Sequence, residues 1–181
     1  MRIKRLTLAI GLILLGAVAV VSVAVERESP YVFEALGGPG VARALVLYHP
    51  SRDAHFSDDL SLAVVGGLKR AGLSVDRATL TRETPARPVG YALVAVVSNT
   101  YYSAPDLPTL HYLRRARFAG VSAIGVIGGA GSTQRSERLL GEALRNTGAT
   151  VLKTQSVWLW RPNDEARMIK AATPFQNVKC R

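Results

Sequence analysis

Two adjacent tyrosines follow an apolar run in the middle of the chain, and they are the residues best suited to bind a ligand. Residues 93–97 are uniformly apolar, and Asn99, Thr100, Tyr101 and Tyr102 come directly after them. This pattern is typical of a buried parallel strand that is followed by a loop at the carboxyl edge of an open α/β sheet. Ligands bind at that edge. Tyrosine offers a π-face and a hydroxyl, which suits a flat ring system. In the alternative reading, Tyr101 and Tyr102 only cover the end of the sheet.

Two further loops carry residue types that contact anions or rings. The run HPSRDAHFS (residues 49–57) combines hydroxyls with a basic residue before a helix start, which suits an anion-binding loop; an ordinary polar loop is the alternative. It contains no glycine, so it is neither a Walker loop nor a dinucleotide fingerprint. The run GGAGST (residues 128–133) either lets the backbone approach a ligand closely or only makes a tight turn.

The elements that position these loops alternate along the chain. Apolar strands without polar alternation indicate a parallel sheet that is covered on both faces. A helix capped by Ser57 is expected to end at Gly72, and a short crossover with Pro85 and Pro88 is expected between the second and third strands. The predicted strands are residues 43–48, 73–80, 91–97, 121–127 and 150–159, and the later helices are residues 106–117 and 132–146.

The N-terminal region predicts a membrane segment. Three basic residues precede residues 6–25, which carry no charge and are long enough to cross a bilayer as one helix. Cleavage as a signal peptide near residues 22–24 is the alternative. The positive-inside rule places the rest of the chain outside the cytoplasm, on a single-pass inner-membrane anchor. We expect residues 1–25 to be anchor or signal, residues 26–41 a linker and residues 42–181 one domain.

Composition narrows the classes of function. The net charge is +10, but no recognition helix, zinc spacing or RNA-binding aromatic motif accompanies it, so we expect no nucleic-acid partner. Cys180 is the single cysteine, which excludes an internal disulfide, a CxxC pair and a cysteine-based metal site; we expect no metal. A Gly-x-Ser-x-Gly motif is absent, which disfavours a hydrolase. Any redox chemistry must come from a bound cofactor.

Three segments together resemble the flavodoxin-like superfamily, including its NAD(P)H-dependent quinone and FMN reductase branch. YHPSRDAHFSDDL (residues 48–60) is similar to the branch's phosphate loop, with Ser57 in place of the usual asparagine. VVSNTYYSAPDLPTLHYL (residues 96–113) is similar to its flavin loop, with Asn99 in place of proline. The fourth strand, its glycine loop and its helix (residues 123–152) also match the pattern. The resemblance covers residues 43–160.

This resemblance implies a five-stranded parallel sheet of order 2-1-3-4-5, with helices on both faces and FMN at the switch point. It further implies electron or hydride transfer from NAD(P)H to a quinone or a redox protein at the membrane, in a homodimer in some relatives. The alternative is a cofactor-free scaffold of the same fold. Residues implied near the phosphate are Ser51, His55, Phe56 and Ser57. Residues implied along the flavin ring are Asn99, Thr100, Tyr101, Tyr102, Gly129, Ala130, Gly131 and Ser132.

Overall fold

The computed structural model describes residues 10–13, 15–16, 20, 27, 29–50, 54–129 and 133–158. These residues form seven strands and, from residue 54 onward, three helices. The strands are β1 (Phe33–Gly37), β2 (Arg43–Tyr48), β3 (Ser74–Thr79), β4 (Leu93–Tyr101), β5 (Ala104–Pro105), β6 (Ser122–Gly129) and β7 (Thr150–Trp158). The helices are α1 (Ala54–Arg70), α2 (Leu107–Arg115) and α3 (Gln134–Asn146).

A mostly parallel sheet runs through the middle of the fold, in the order β1-β3-β2-β4-β6-β7. Strands β2, β3, β4, β6 and β7 are parallel to one another, and they keep the predicted order 2-1-3-4-5. Two strands were not predicted. Strand β1 pairs antiparallel with β3 at one edge, and β5 folds back on the end of β4. The described sheet therefore has seven strands instead of five.

Apolar side chains cover both faces of the sheet, as the uninterrupted apolar strands predicted. One face packs Val46, Ala95 and Val126 against α1, through Leu60, Val64 and Leu68. The other face packs its strand residues against α2 and α3, through Tyr112, Leu113, Leu140 and Leu144. Helices on both faces of a parallel sheet are what right-handed crossovers produce.

The predicted helix cap differs from the structure. Helix α1 begins at Ala54, so Ser57 lies inside its first turn and does not cap it. The crossover between β3 and β4 is short, as predicted: residues 80–92 contain no helix, and α2 holds them in place. The guanidinium of Arg115 donates to the carbonyls of Thr81 (2.8 Å) and Thr84 (2.7 Å), and the Tyr112 hydroxyl donates to the carbonyl of Pro85 (3.0 Å).

Part of the predicted linker, residues 26–41, belongs to the sheet. Strand β1 lies within it, and the residues before β1 are bound to the end of β3. Thr79 accepts from the backbone N–H of Val32 (2.8 Å) and donates to the carbonyl of Pro30 (2.9 Å). The chain therefore joins the domain at the carboxyl edge of the sheet, several residues before the predicted boundary at residue 42.

The predicted transmembrane helix is not found among the described residues, where no helix is both long enough and apolar enough to cross a bilayer. Within residues 6–25, the described positions 10–13, 15, 16 and 20 are helical. Their apolar side chains are exposed, at 70% for Ile13 and 69% for Leu15.

Candidate functional site at the carboxyl edge of the sheet

Asp106 is a buried carboxylate that joins the end of β4 to the start of α2. It is completely buried and caps α2 by accepting from the backbone N–H of Thr109 (2.8 Å). Its other oxygen accepts from the Ser98 hydroxyl (2.7 Å) and from the backbone N–H of Asn99 (2.7 Å). Oδ1 also lies 3.5 Å from Nδ1 of His49, which is completely buried as well. Three donors and the helix dipole stabilise this charge without solvent.

Asn99 extends the same network across to β2 and α1. Its side-chain amide donates to the carbonyl of His49 (2.9 Å), and its oxygen accepts from the Ser57 hydroxyl (2.8 Å). Nε2 of His49 donates to the carbonyl of Arg27 (3.2 Å), so the chain before β1 also reaches this point. These buried hydrogen bonds fix the ends of β2 and β4 and the start of α1 relative to one another.

The segment after β4 is a tight β-hairpin that presents Tyr102. Thr100 pairs with Pro105 and Tyr101 with Ala104, which leaves a two-residue turn at Tyr102 and Ser103. Both turn residues have positive φ, 52° and 60°, as in the turns that suit two-residue hairpins. Glycine or asparagine usually occupies such positions, and strained residues of other types cluster at functional sites. The side chain of Tyr102 is 69% exposed at the tip.

Buried polar atoms without a hydrogen-bond partner are concentrated at this edge of the sheet. Within the described part of the chain they are His49 Nδ1, Thr100 Oγ1, Thr109 Oγ1 and Ser136 Oγ. His49 and Thr100 lie at the carboxyl ends of β2 and β4, while Thr109 and Ser136 lie in the first turns of α2 and α3. Unsatisfied buried polar groups are uncommon and call for an explanation, and a ligand-binding edge supplies one.

Glycines at the end of β6 leave room for close packing. A Cβ at Gly128 would lie 2.6 Å from Cε1 of Phe56, and a Cβ at Gly129 would lie 2.9 Å from Cβ of Thr100. Gly128 thus lets the Phe56 ring pack directly on the strand. Gly129 lets β6 end beside the base of the hairpin.

Replacing Gly128 with alanine is expected to lower the free energy of unfolding by about 1–3 kcal/mol, because the added methyl group overlaps the rigid Phe56 ring. Thermal unfolding followed by circular dichroism measures this. Gly66→Ala in α1 is the matched control, because a Cβ there meets only the flexible Arg70 side chain at 3.4 Å. We expect that variant to be neutral or more stable, and equal losses in both variants would argue against the packing account.

The structure divides the predicted site residues into three groups. Thr100, Tyr101, Tyr102 and Gly129 come together around the hairpin and the end of β6, and Tyr102 is exposed there. Phe56, Ser57 and Asn99 are buried and serve the core and the network. His55 is exposed on α1. The predicted site residues outside the described residues are Ser51, Ala130, Gly131 and Ser132.

Two central residues were not predicted as site residues. Asp106 was expected only as a helix start, although aspartate directly before a helix with proline at its second position is a capping signal. His49 was expected only as the first residue of the loop 49–57. It is completely buried and bonds to the carbonyl of Arg27, 22 positions away, a contact that a local pattern cannot show.

Comparison with known proteins supports the fold and not a closer relationship. No protein-family model matches the chain, and no curated protein matches its sequence. Solved structures do match. A flavodoxin from the domain Archaea superposes with a TM-score of 0.61 at 17% identity, covering 74% of this chain and 96% of that one. Oxidised flavodoxin 1 from Bacillus cereus gives 0.58 at 10% identity, covering 76% and 100%.

A further match is an NADH:FMN oxidoreductase in its apo form, with a TM-score of 0.56 at 15% identity, covering 75% of this chain and 88% of that one. The matched chains are covered almost completely, and the five parallel strands keep the order 2-1-3-4-5. The protein therefore has a flavodoxin-like α/β fold, extended by an antiparallel edge strand.

Proposed function

We propose that this protein binds FMN at the carboxyl edge of its sheet and transfers electrons or hydride at a membrane. The observation that carries the proposal is the hairpin after β4, which presents Tyr101 and Tyr102 beside Gly129 at the switch point of a flavodoxin-like sheet. FMN, when bound, supplies one- and two-electron redox chemistry.

The described residues fit a flavin ring. Tyr102 offers an exposed aromatic face, and the buried hydroxyl of Thr100 has no hydrogen-bond partner among the described residues. The missing side chain at Gly129 leaves backbone beside that hydroxyl. In this proposal Tyr101 and Tyr102 stack against the ring, Thr100 hydrogen-bonds its polar edge, and Asp106 holds the hairpin in position.

The place where the chain joins the domain supports a lipid-soluble electron acceptor. The carbonyl of Arg27 is bound to His49 at the carboxyl edge, only two residues after the uncharged stretch 6–25. If that stretch lies in a bilayer, the proposed flavin edge is held close to the lipid surface. We therefore propose a single-pass inner-membrane protein, with the domain outside the cytoplasm and a membrane quinone as redox partner. NAD(P)H as donor and a homodimer are further parts of this proposal.

Titrating FMN into the full-length protein in neutral detergent tests the proposal. We expect saturable binding, and we expect Tyr102→Ala to weaken it by about threefold to tenfold, which is the usual contribution of one aromatic contact. Tyr102→Phe keeps the ring and is expected to bind like the wild type. Leu152→Ala, at an exposed residue near the amino end of β7, is the remote control.

If the wild type and Tyr102→Ala bind FMN with equal affinity, Tyr102 does not contact the flavin. Absence of any saturable binding by folded protein would favour the alternative, a cofactor-free scaffold that binds another protein at the membrane.

A further inference from the structure

The irregular crossover leaves a cleft at the amino edge of the sheet, opposite the proposed flavin site. The cleft has a volume of about 490 Å³ and lies between residues 87–91, which precede β4, and residues 117–121, which precede β6. That volume is within the range of small-molecule sites, about 300–1,000 Å³. A crossover helix would connect β3 and β4 in a regular alternation, but residues 80–92 form none.

Backbone hydrogen bonds hold the two walls of the cleft together. The N–H of Arg117 donates to the carbonyl of Ala86 (2.8 Å), which joins one wall to the other. The N–H of Phe118 donates to the carbonyl of Thr147 after α3 (2.8 Å), and the N–H of Val121 donates back to Phe118 (2.9 Å). The cleft is thus built into the fold and does not depend on a bound ligand for its shape.

The charge of the cleft is positive and uncompensated. Arg87 stands on one wall and Arg117 on the other, and both are exposed. Among the described residues, neither pairs with a carboxylate and no acidic residue lines the cleft. Arg117 donates to the carbonyls of Ala116 (2.8 Å) and Arg114 (3.4 Å), which uses two of its five N–H donors. Arg43 and Arg77, in contrast, are both paired with carboxylates.

The rest of the cleft is apolar or aromatic. Val89 is 82% exposed, and the ring of Tyr91 stands beside it in the same wall. The Tyr91 hydroxyl donates to Asp76 (2.8 Å), and the guanidinium of Arg43 lies 4.7 Å from the centre of its ring, so the ring face turned away from Arg43 is the part that a ligand can contact. Val121 contributes from the opposite wall. An exposed apolar surface next to two arginines matches a ligand with an anionic end and an apolar body.

We propose that this cleft binds a small organic phosphate, with its phosphoryl group between Arg87 and Arg117 and its apolar body against Val89 and Tyr91. A phosphate monoester is dianionic, and it can accept hydrogen bonds from two guanidinium groups at once, whereas a single carboxylate carries half that charge. The phosphoryl group can belong to a soluble metabolite or to a lipid headgroup. The site lies on the opposite edge from the proposed flavin site and does not depend on it.

Calorimetric titration of the full-length protein with phenyl phosphate tests this site, in neutral detergent at constant ionic strength. Phenol and inorganic phosphate are the matched ligands that lack one half of the probe. We expect saturable binding of phenyl phosphate, weaker binding of inorganic phosphate and none of phenol. The double variant Arg87→Gln/Arg117→Gln should bind at least about tenfold more weakly, since charge-assisted hydrogen bonds are lost at both residues.

The control is Arg135→Gln/Arg138→Gln, which removes the same charge from exposed positions of α3. It should bind phenyl phosphate within about twofold of the wild type, because at physiological ionic strength salt largely screens the attraction between the ligand and distant exposed charges. Equal loss in both double variants would overturn the proposal, as would no saturable binding or equal binding of phenol. Titration of Tyr102→Ala with phenyl phosphate separates this site from the proposed function, because that variant lies at the opposite edge and should leave phenyl phosphate affinity unchanged.

Dihexanoyl phosphatidic acid, kept below its micelle concentration, distinguishes the two sources of the phosphoryl group. If dihexanoyl phosphatidic acid binds more tightly than phenyl phosphate, and Arg87→Gln/Arg117→Gln loses this binding, the cleft binds a lipid headgroup. Weaker binding than that of phenyl phosphate assigns it to a soluble phosphate ester.

Discussion

Replacing Asp106 with alanine is expected to lower the free energy of unfolding by about 3–5 kcal/mol. The change leaves two buried donors without an acceptor, the backbone N–H groups of Asn99 and Thr109, and leaves the Ser98 hydroxyl only the carbonyl of Asn99 at 3.2 Å. It also removes the cap of α2, which alone contributes about 1 kcal/mol. Since the same carboxylate fixes the base of the hairpin, affinity for FMN should fall as well.

Chemical unfolding followed by circular dichroism measures the loss in Asp106→Ala. Asp59→Ala is the matched control, because Asp59 is exposed on α1 and its removal should change stability by no more than about 0.5 kcal/mol. Asp106→Asn keeps the shape and one acceptor oxygen, so we expect an intermediate loss. If Asp106→Ala unfolds within about 1 kcal/mol of the wild type, the network does not hold this edge together.

Replacing Arg77 with alanine is expected to cost about 3 kcal/mol, the lower end of the range for breaking a buried ion pair, because both of its carboxylate partners are partly exposed. Arg77 itself is 6% exposed, and it donates to Glu34 of β1 (2.5 Å) and to Asp58 of α1 (2.7 Å). Its guanidinium also lies 4.9 Å from the ring centre of Tyr48. One side chain thus joins the edge strand, a helix and the sheet.

Arg77 remains charged in this setting. Burial alone lowers the pKa of Arg77, but the hydrogen bond to Glu34 and the negative charges of Asp58 and Glu34 raise it by more, so the net shift is upward. Its removal leaves two carboxylates next to each other without a cation. We therefore expect β1 to separate from β3 in Arg77→Ala before the rest of the sheet unfolds.

Hydrogen exchange of the β1 amides tests that expectation, together with the overall stability. Arg77→Met keeps much of the packing against Tyr48 and should cost less than Arg77→Ala, which separates packing from charge. Arg138→Ala, at an exposed position of α3, is the control and should behave like the wild type. If the β1 amides are as well protected in Arg77→Ala as in the wild type, the backbone pairing of β1 with β3 holds the strand in place without Arg77.

The parallel part of the fold was predictable because its signals are local. Uninterrupted apolar runs such as residues 44–48 and 93–97 indicate burial on both faces of a sheet, and segments such as residues 54–70 and 134–146 carry helical periodicity. These signals predict the number of the parallel strands, whereas their order was implied by the resemblance to the flavodoxin-like superfamily. The boundaries of the strands differ by a few residues, as with β4, which continues to Tyr101.

The features that the sequence did not reveal depend on contacts across the fold. Strand β1 is five residues long, ends in glycine and is held through Glu34 and Arg77, which are 43 positions apart. The hairpin turns at Tyr102 and Ser103, which carry none of the usual glycine or asparagine signals. Asn99 and Ser57 resemble cofactor-binding positions in the sequence, but in the structure their side chains hydrogen-bond to each other in the interior.

The most direct test of the proposed function is the visible absorbance spectrum of the full-length protein after incubation with FMN and gel filtration in neutral detergent. The proposal predicts that a flavin spectrum elutes with the protein, and that Gly129→Val reduces it because the larger side chain overlaps Thr100 beside the hairpin. A folded protein that elutes without flavin would contradict the proposed FMN site at the carboxyl edge.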